Sequence, residues 1–183
     1  KTNLDVGDTG DACLFSWLFA EARQFERARR FLRECEIERY DRGMQAYRGD
    51  QGLYARARLF VLDGESERAW PTLQPRIDAL LATPDLTARE AASLAFLARH
   101  ATTMLGADRK RLQHAWRVAS TIATRDGAGP QLRFGVHVLR WRLCHVEGRI
   151  DCAAALPPWA SEDRFEARMA QEAQMMLSVD GKH

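Results

Sequence analysis

The four cysteines of this 183-residue chain have a spacing that points to redox chemistry. Cys144 and Cys152 lie four residues either side of a glycine, and Cys13 and Cys35 lie almost symmetrically about a predicted turn at Arg23. Antiparallel helices joined by a turn bring such residues together, so two hairpin disulfides are geometrically possible and would indicate an oxidising compartment. The alternative is that each cysteine is a small buried residue of a reduced protein.

Metal and catalytic chemistry have weaker support. His137, Cys144 and His145 fall on or near one predicted helix, with Cys152 beyond it, but they lack the paired C-x-x-C or H-x-x-x-H spacing typical of zinc sites. The chain has no G-x-S-x-G, glycine-rich phosphate loop or H-E-x-x-H motif. We therefore predict a protein that is not an enzyme and that has no metal or cofactor.

Composition narrows the class of partner. The 27 Lys and Arg residues nearly balance the 25 Asp and Glu residues, which argues against direct nucleic-acid binding through phosphate contacts. No apolar run approaches the ~20 residues that span a bilayer, and residues 1–10 lack the apolar stretch of a signal peptide. We predict a protein without membrane insertion that is cytoplasmic, or periplasmic if Cys13–Cys35 or Cys144–Cys152 are disulfides.

The elements that must position these residues are helices. Ala, Arg, Leu and Glu dominate and β-branched residues are scarce, so we predict an all-α fold. Breakers and caps indicate a disordered segment at 1–10 and a single domain at 11–183, with a loop at Gly49–Gly52, a kink at Pro75 and a capping box opened by Thr87. The predicted helices are 11–22, 24–47, 53–62, 65–81, 87–105, 108–124, 131–147, 149–156 and 161–177.

Three glycines at a constant spacing indicate an internal repeat. Gly64, Gly106 and Gly148 each close a predicted helix, and both separations are 42 residues. Two rows of side chains keep this register: Trp17, Arg58, His100 and Arg142 in the first, and Cys13, Tyr54, Phe96 and Val138 in the second. The chain is therefore predicted to form four helical hairpins of about 42 residues and a C-terminal helix.

The hairpins resemble the tetratricopeptide repeat in their pattern of small and aromatic residues. The first carries the pattern at Ala12, Phe15, Ser16, Phe19, Phe25, Ala28, Leu32 and Cys35. It recurs at Leu53, Ala57, Phe60, Gly64 and Ala69 and, less faithfully, at His137, Trp141, Cys144, Gly148, Ile150 and Ala153. The long period makes the chain more similar to the superhelical arrays of maltose-activator-type LuxR regulators. Over residues 12–156 this resemblance implies a right-handed superhelix of antiparallel hairpins.

The resemblance also implies a concave groove lined by the first helix of each hairpin. The implied partner-binding residues, here called the groove residues, are Trp17, Tyr54, Arg58, Phe96, His100, Arg142 and His145, with Gln51 and Thr103 at the edges. Such a groove suits an acidic, partly apolar protein segment, and its side chains should contribute little to stability. Alternatively, they pair within the array or face water. The repeat phase separates Cys13 from Cys35, which favours reduced cysteines.

The predicted helical repeat with a concave groove suggests two functions. The first is a non-catalytic interaction module, a scaffold or adaptor that binds a protein segment in the groove. The second is the ligand-sensing segment of a bacterial transcription regulator, with a small molecule in the groove. Residues 161–177 either cap the array or dock another chain through Met169, Met175 and Met176.

Overall fold

The computed structural model describes residues 12–41, 46–125 and 128–148. All regular structure within these ranges is helical, which confirms the all-α prediction. The helices are α1 (Ala12–Glu21), α2 (Phe25–Asp41), α3 (Ala46–Leu62), α4 (Ala69–Leu81), α5 (Ala88–Ala101), α6 (Arg109–Ala123) and α7 (Pro130–Val146), with a 3-10 turn at Ser66–Arg68 before α4. The predicted disordered segment at 1–10 and the predicted helices at 149–156 and 161–177 lie outside the described residues.

Local signals place several helix ends. The Thr87 hydroxyl accepts a hydrogen bond from the Glu90 backbone N–H at 3.2 Å, and the Glu90 carboxylate accepts one from the Thr87 N–H at 2.9 Å. This is the predicted capping box, and it opens α5. The Asp108 carboxylate caps α6 in the same way, by accepting from the Arg111 N–H at 3.2 Å. Pro75 lies inside α4, which continues to Leu81.

The three repeat glycines share one backbone conformation. Gly64, Gly106 and Gly148 have φ values of +83°, +75° and +67°. A side chain in this left-handed region collides with its own backbone, so glycine is the residue that adopts it at low cost. Each glycine follows the end of an odd-numbered helix. The 42-residue spacing thus marks a repeated turn geometry.

The predicted loop at Gly49–Gly52 is wrong, because these residues belong to α3. Their low helix propensity is outweighed by tertiary contacts. Asp50 is only 2% exposed, and its carboxylate accepts a hydrogen bond from the Arg76 Nε at 2.9 Å, which ties α3 to α4. Gly52 packs closely against Cys35 of α2, which leaves no room for a side chain.

The helices pack in a regular order. α1 contacts α3, α3 contacts α5, and α5 contacts α7, so the odd-numbered helices are successive neighbours. Each even-numbered helix packs against the helices before and after it in sequence, as α4 does against α3 and α5. Neighbouring helices in sequence are therefore neighbours in space throughout the described chain.

The centre of the core is α5. Every residue from Ala91 to Thr102 is buried, polar side chains included. Leu94 and Leu97 are fully buried, and they belong to one apolar cluster that also takes in Leu73, Ile77 and Leu139 from the flanking helices. The fold is thus organised about a helix that is buried on all sides from Ala91 onward, and this helix carries two of the groove residues.

Candidate functional site

Four of the groove residues meet in a cluster of rings. Trp17 of α1 packs edge-on against Phe96 of α5, with ring centroids 5.4 Å apart, and Tyr54 of α3 stacks on His100 at 3.9 Å. Tyr54 and Phe96, which are one repeat apart, contact edge-on at 5.8 Å. All four side chains are buried. The repeat register brings these residues together, and here they contact one another and join three helices.

Arginines of the same register lie close to this cluster. Arg142 is 8% exposed, and its Nη1 donates a hydrogen bond to the carbonyl oxygen of Arg99 at 3.1 Å. Arg58 is half-buried. Burial, reinforced by the positive charges of Arg99, Arg142 and Arg58, holds the pKa of His100 well below its ordinary value of 6.5. His100 is therefore a neutral ring at pH 7.

The remaining residues of the two predicted rows and of the groove edges differ in their exposure to solvent. Gln51 and Val138 are buried, and Thr103 is exposed. His145 belongs to α7, but its side chain lies outside the described residues. The expectation that groove side chains add little to stability stays a prediction, but the buried contacts of Arg142 and the rings join separate helices and argue against it. Partner binding by the seven residues stays a prediction.

The cysteines of the first hairpin form a disulfide. Cys13 and Cys35, with Cα atoms 4.8 Å apart, are bonded between α1 and α2. The prediction that both are reduced is therefore wrong. Repeat phase placed them on different sides of the hairpin, but α1 and α2 are close enough for symmetric positions to meet. Cys144 is buried on α7, and Cys152, its proposed partner, lies outside the described residues.

A glycine of α3 lies directly against this disulfide. A Cβ atom built on Gly52 would lie 2.6 Å from the Sγ of Cys35 and 3.7 Å from that of Cys13. Real Cβ atoms do not approach a sulfur atom at 2.6 Å, so a larger residue would push α3 away from the first hairpin. The absence of a side chain at Gly52 lets three helices meet at one buried bond.

A cleft between α6 and α7 was not predicted. It has a volume of about 320 Å³ and is lined by Gln113, Trp116 and Arg117 of α6, by Arg140, Leu143 and Cys144 of α7, and by Glu147 just after α7. The Gln113 side-chain amide donates to the Glu147 carboxylate at 2.6 Å across one end. This contact joins the start of α6 to the end of α7, so the two helices run antiparallel.

The two helices that form the cleft are strongly basic. α6 carries four Lys or Arg residues, α7 carries three, and neither helix contains an Asp or Glu. Arg111 pairs with Asp78 at 2.9 Å, and Arg142 is buried. The remaining basic side chains are exposed: Arg109, Lys110, Arg117, Arg133 and Arg140. The balanced net charge of the chain concealed this local excess, which a residue count for each helix would have found.

Trp116 and Arg140 meet at the wall of the cleft. The guanidinium of Arg140 lies 5.9 Å from the centroid of the Trp116 ring, which orients both side chains. The indole N–H of Trp116 is buried and meets no acceptor among the described residues, and the same is true of the Trp17 indole N–H in the core. The ring of Trp116, and not its N–H, is therefore the part that faces a ligand.

Comparison with known proteins shows no similarity: the chain matches no family model, no curated protein and no solved structure. Within the described ranges, no helix combines the length and the apolar character needed to cross a bilayer. No group of three or more metal-ligating side chains assembles among those residues either.

Proposed function

We propose that this chain is a non-catalytic helical-repeat module that binds a segment of another protein. Support comes from the repeat itself. The odd-numbered helices pack in succession, left-handed glycines recur every 42 residues, and Tyr54 and Phe96 meet ring to ring from equivalent repeat positions. We further propose that these hairpins build a right-handed superhelix. Arrays of this kind present extended surfaces and commonly serve as scaffolds or adaptors.

The proposed partner is acidic and partly apolar. The observation that carries this is the charge of α6 and α7, which hold seven basic residues, four and three respectively, and no acidic one. Exposed cations on adjacent helices attract an acidic segment and set its orientation through bidentate contacts to carboxylates. Among the groove residues, Arg142 supports this surface by tying α7 to α5 through its hydrogen bond to the Arg99 carbonyl.

Peptide selection tests this function. We expect a displayed library of random twelve-residue peptides, panned against the immobilised chain, to converge on sequences that combine Asp or Glu with apolar residues. An unrelated helical protein of similar net charge serves as the control. Failure of the library to converge beyond this control would contradict the proposal that the chain binds protein segments.

The cleft favours a second candidate function, the ligand-sensing segment of a bacterial transcription regulator. Its volume of about 320 Å³ falls at the lower end of the 300–1,000 Å³ typical of small-molecule sites. An ATPase or DNA-binding region elsewhere on the polypeptide would favour this candidate over the first. The disulfide weighs against it, because regulators act on DNA in a reducing cytoplasm.

We also propose that the protein works in an oxidising compartment such as the periplasm. The Cys13–Cys35 disulfide supports this location, since disulfides persist where thiols are not continuously reduced. Expression of the chain in the two compartments of a bacterium, followed by thiol labelling, tests the proposal. An oxidised periplasmic form that is more soluble than the cytoplasmic form is expected.

A further inference from the structure

We infer that the cleft between α6 and α7 is the docking site for an acidic protein segment, which inserts one apolar side chain beside Trp116. This inference rests on the proposed function and assigns it a location. It moves the principal binding surface away from the groove residues, most of which are buried, to helices whose basic side chains are exposed.

The cations are aligned along the cleft. Lys110 and Arg117 are seven residues apart on α6, and Arg133 and Arg140 are seven residues apart on α7, so each pair shares one helix face. Arg117 and Arg140 line the cleft itself. Neither of these two makes an ion pair with a described residue, so their guanidinium groups are available to carboxylates of a partner.

The spacing of the cations sets an expectation for the ligand. Seven residues of helix advance about 10 Å, and an extended chain advances about 3.3 Å per residue. An extended segment with acidic residues about three positions apart would therefore meet Lys110 and Arg117 in turn. This geometry favours a short acidic strand of peptide over an isolated acidic residue.

The walls of the cleft account for the apolar part. Trp116 and Leu143 provide apolar surface, and the cleft holds about 320 Å³, which suits a single inserted side chain. Trp116 meets the segment through its ring, which also lies beside the guanidinium of Arg140. The Glu147 carboxylate lies at the far end of the cleft, where it accepts a hydrogen bond from the Gln113 side-chain amide.

Charge reversal in the cleft tests the assignment. The twelve-residue peptide library is panned against the wild-type chain, against Arg117→Glu/Arg140→Glu, and against Arg30→Glu/Arg33→Glu. The last variant changes the net charge equally on exposed positions of α2. The most enriched wild-type peptide is then measured by fluorescence anisotropy. We expect at least tenfold weaker binding to the cleft variant, less than twofold change for the α2 variant, and further weakening as NaCl rises from 50 to 300 mM.

A second substitution tests the aromatic wall. Trp116→Phe retains an aromatic ring but removes part of the apolar surface that lines the cleft, and we expect threefold to tenfold weaker binding with unchanged helicity. If wild-type peptides converge but bind the cleft variant normally, the assignment of the site fails while the proposed function stands. If no peptide is enriched, both fail. Tighter binding of a single-stranded twelve-nucleotide DNA than of the peptide would overturn the protein-segment assignment.

Discussion

The guanidinium of Arg142 donates a hydrogen bond at 3.1 Å to the carbonyl oxygen of Arg99, 43 residues earlier in the sequence. The bond joins α7 to the C-terminal part of α5, where Thr102 also donates to the same oxygen at 2.7 Å. A side chain expected to reach for a partner is thus turned inward and links two neighbouring helices of the odd-numbered series.

Replacing Arg142 should destabilise the fold. We expect Arg142→Ala to lower the free energy of unfolding by about 1–3 kcal/mol, because a buried hydrogen bond and the packing of the long side chain are lost. Arg140→Ala, at an exposed position two residues away, should change it by less than about 0.5 kcal/mol. Urea unfolding followed by circular dichroism measures both. Equal stabilities of the two variants would contradict a structural role for Arg142.

The contact between Gly52 and the disulfide predicts that the effect of Gly52→Ala on the free energy of unfolding changes sign when the two cysteines are replaced. Gly52→Ala should destabilise the wild-type chain by about 1–3 kcal/mol, since its Cβ would overlap the Cys35 Sγ. In a Cys13→Ala/Cys35→Ala background the sulfur atoms are absent, so the better helix propensity of Ala should instead stabilise α3 by up to about 1 kcal/mol. Thermal unfolding of the wild type, Gly52→Ala, the double cysteine variant and their combination measures the coupling between the two sites. If the effects on stability are additive, the close approach of Gly52 to the disulfide is contradicted.

The disulfide predicts a labelling pattern. Denatured, unreduced protein should leave Cys13 and Cys35 unmodified by iodoacetamide, and both should react after treatment with dithiothreitol. Peptide mass spectrometry distinguishes the sites. Because the cysteines are 22 positions apart in the sequence, removing the bond by Cys13→Ser/Cys35→Ser should cost about 3 kcal/mol through the larger entropy of the unfolded chain. Alkylation of both residues without reductant would contradict the bond.

His100 predicts a loss of stability in mild acid. Its pKa is lowered in the folded protein, so the unfolded chain binds the proton more readily, and folding weakens as pH falls below about 6.5. A single such group contributes about 1.4 kcal/mol between pH 7.5 and 5.5. His137, whose pKa is lowered by partial burial and by Arg140, acts in the same direction.

Urea titrations at pH 7.5 and 5.5 isolate the His100 contribution. His100→Gln should lose most of the pH dependence, whereas His114→Gln, at an exposed position of α6, should retain it. Glu90 does not interfere, because hydrogen bonds from the Thr87 backbone and hydroxyl lower its pKa, and its contribution is lost only at lower pH. A pH slope that is the same in His100→Gln and wild type would show that His100 is not the group responsible.

The proposed superhelix predicts an extended particle. A compact chain of this length has a radius of gyration of about 16 Å. Stacking of 42-residue hairpins in one direction should give a larger value by small-angle X-ray scattering of the monomer. A measured value near 16 Å would count against the superhelix while leaving the all-α assignment intact.

The structural features that could be predicted from the sequence are those that a few neighbouring residues determine. Thr87 with Glu90 is a pattern of two side chains and two backbone groups within one turn, so it predicts its helix end directly. Gly64, Gly106 and Gly148 were found because a left-handed turn needs glycine wherever it recurs. These features depend on a few neighbouring residues and do not require a particular tertiary arrangement.

The structural features that could not be predicted from the sequence are those that contacts between helices determine. Gly49–Gly52 carries the composition of a loop, and it is helical because Asp50 finds Arg76 and Gly52 fits against Cys35. The groove residues share a register, but a register does not say whether a neighbouring helix covers them. Similarly, the cleft depends on which faces of α6 and α7 meet, and only the charge of those helices was visible in the sequence.

The enclosed helix α5 has a consequence for the order of synthesis. While only the first hundred residues have been synthesised, the surface of α5 that contacts α6 and α7 in the complete fold has nothing to pack against. The nascent chain must therefore keep this segment away from other chains until α6 and α7 have emerged.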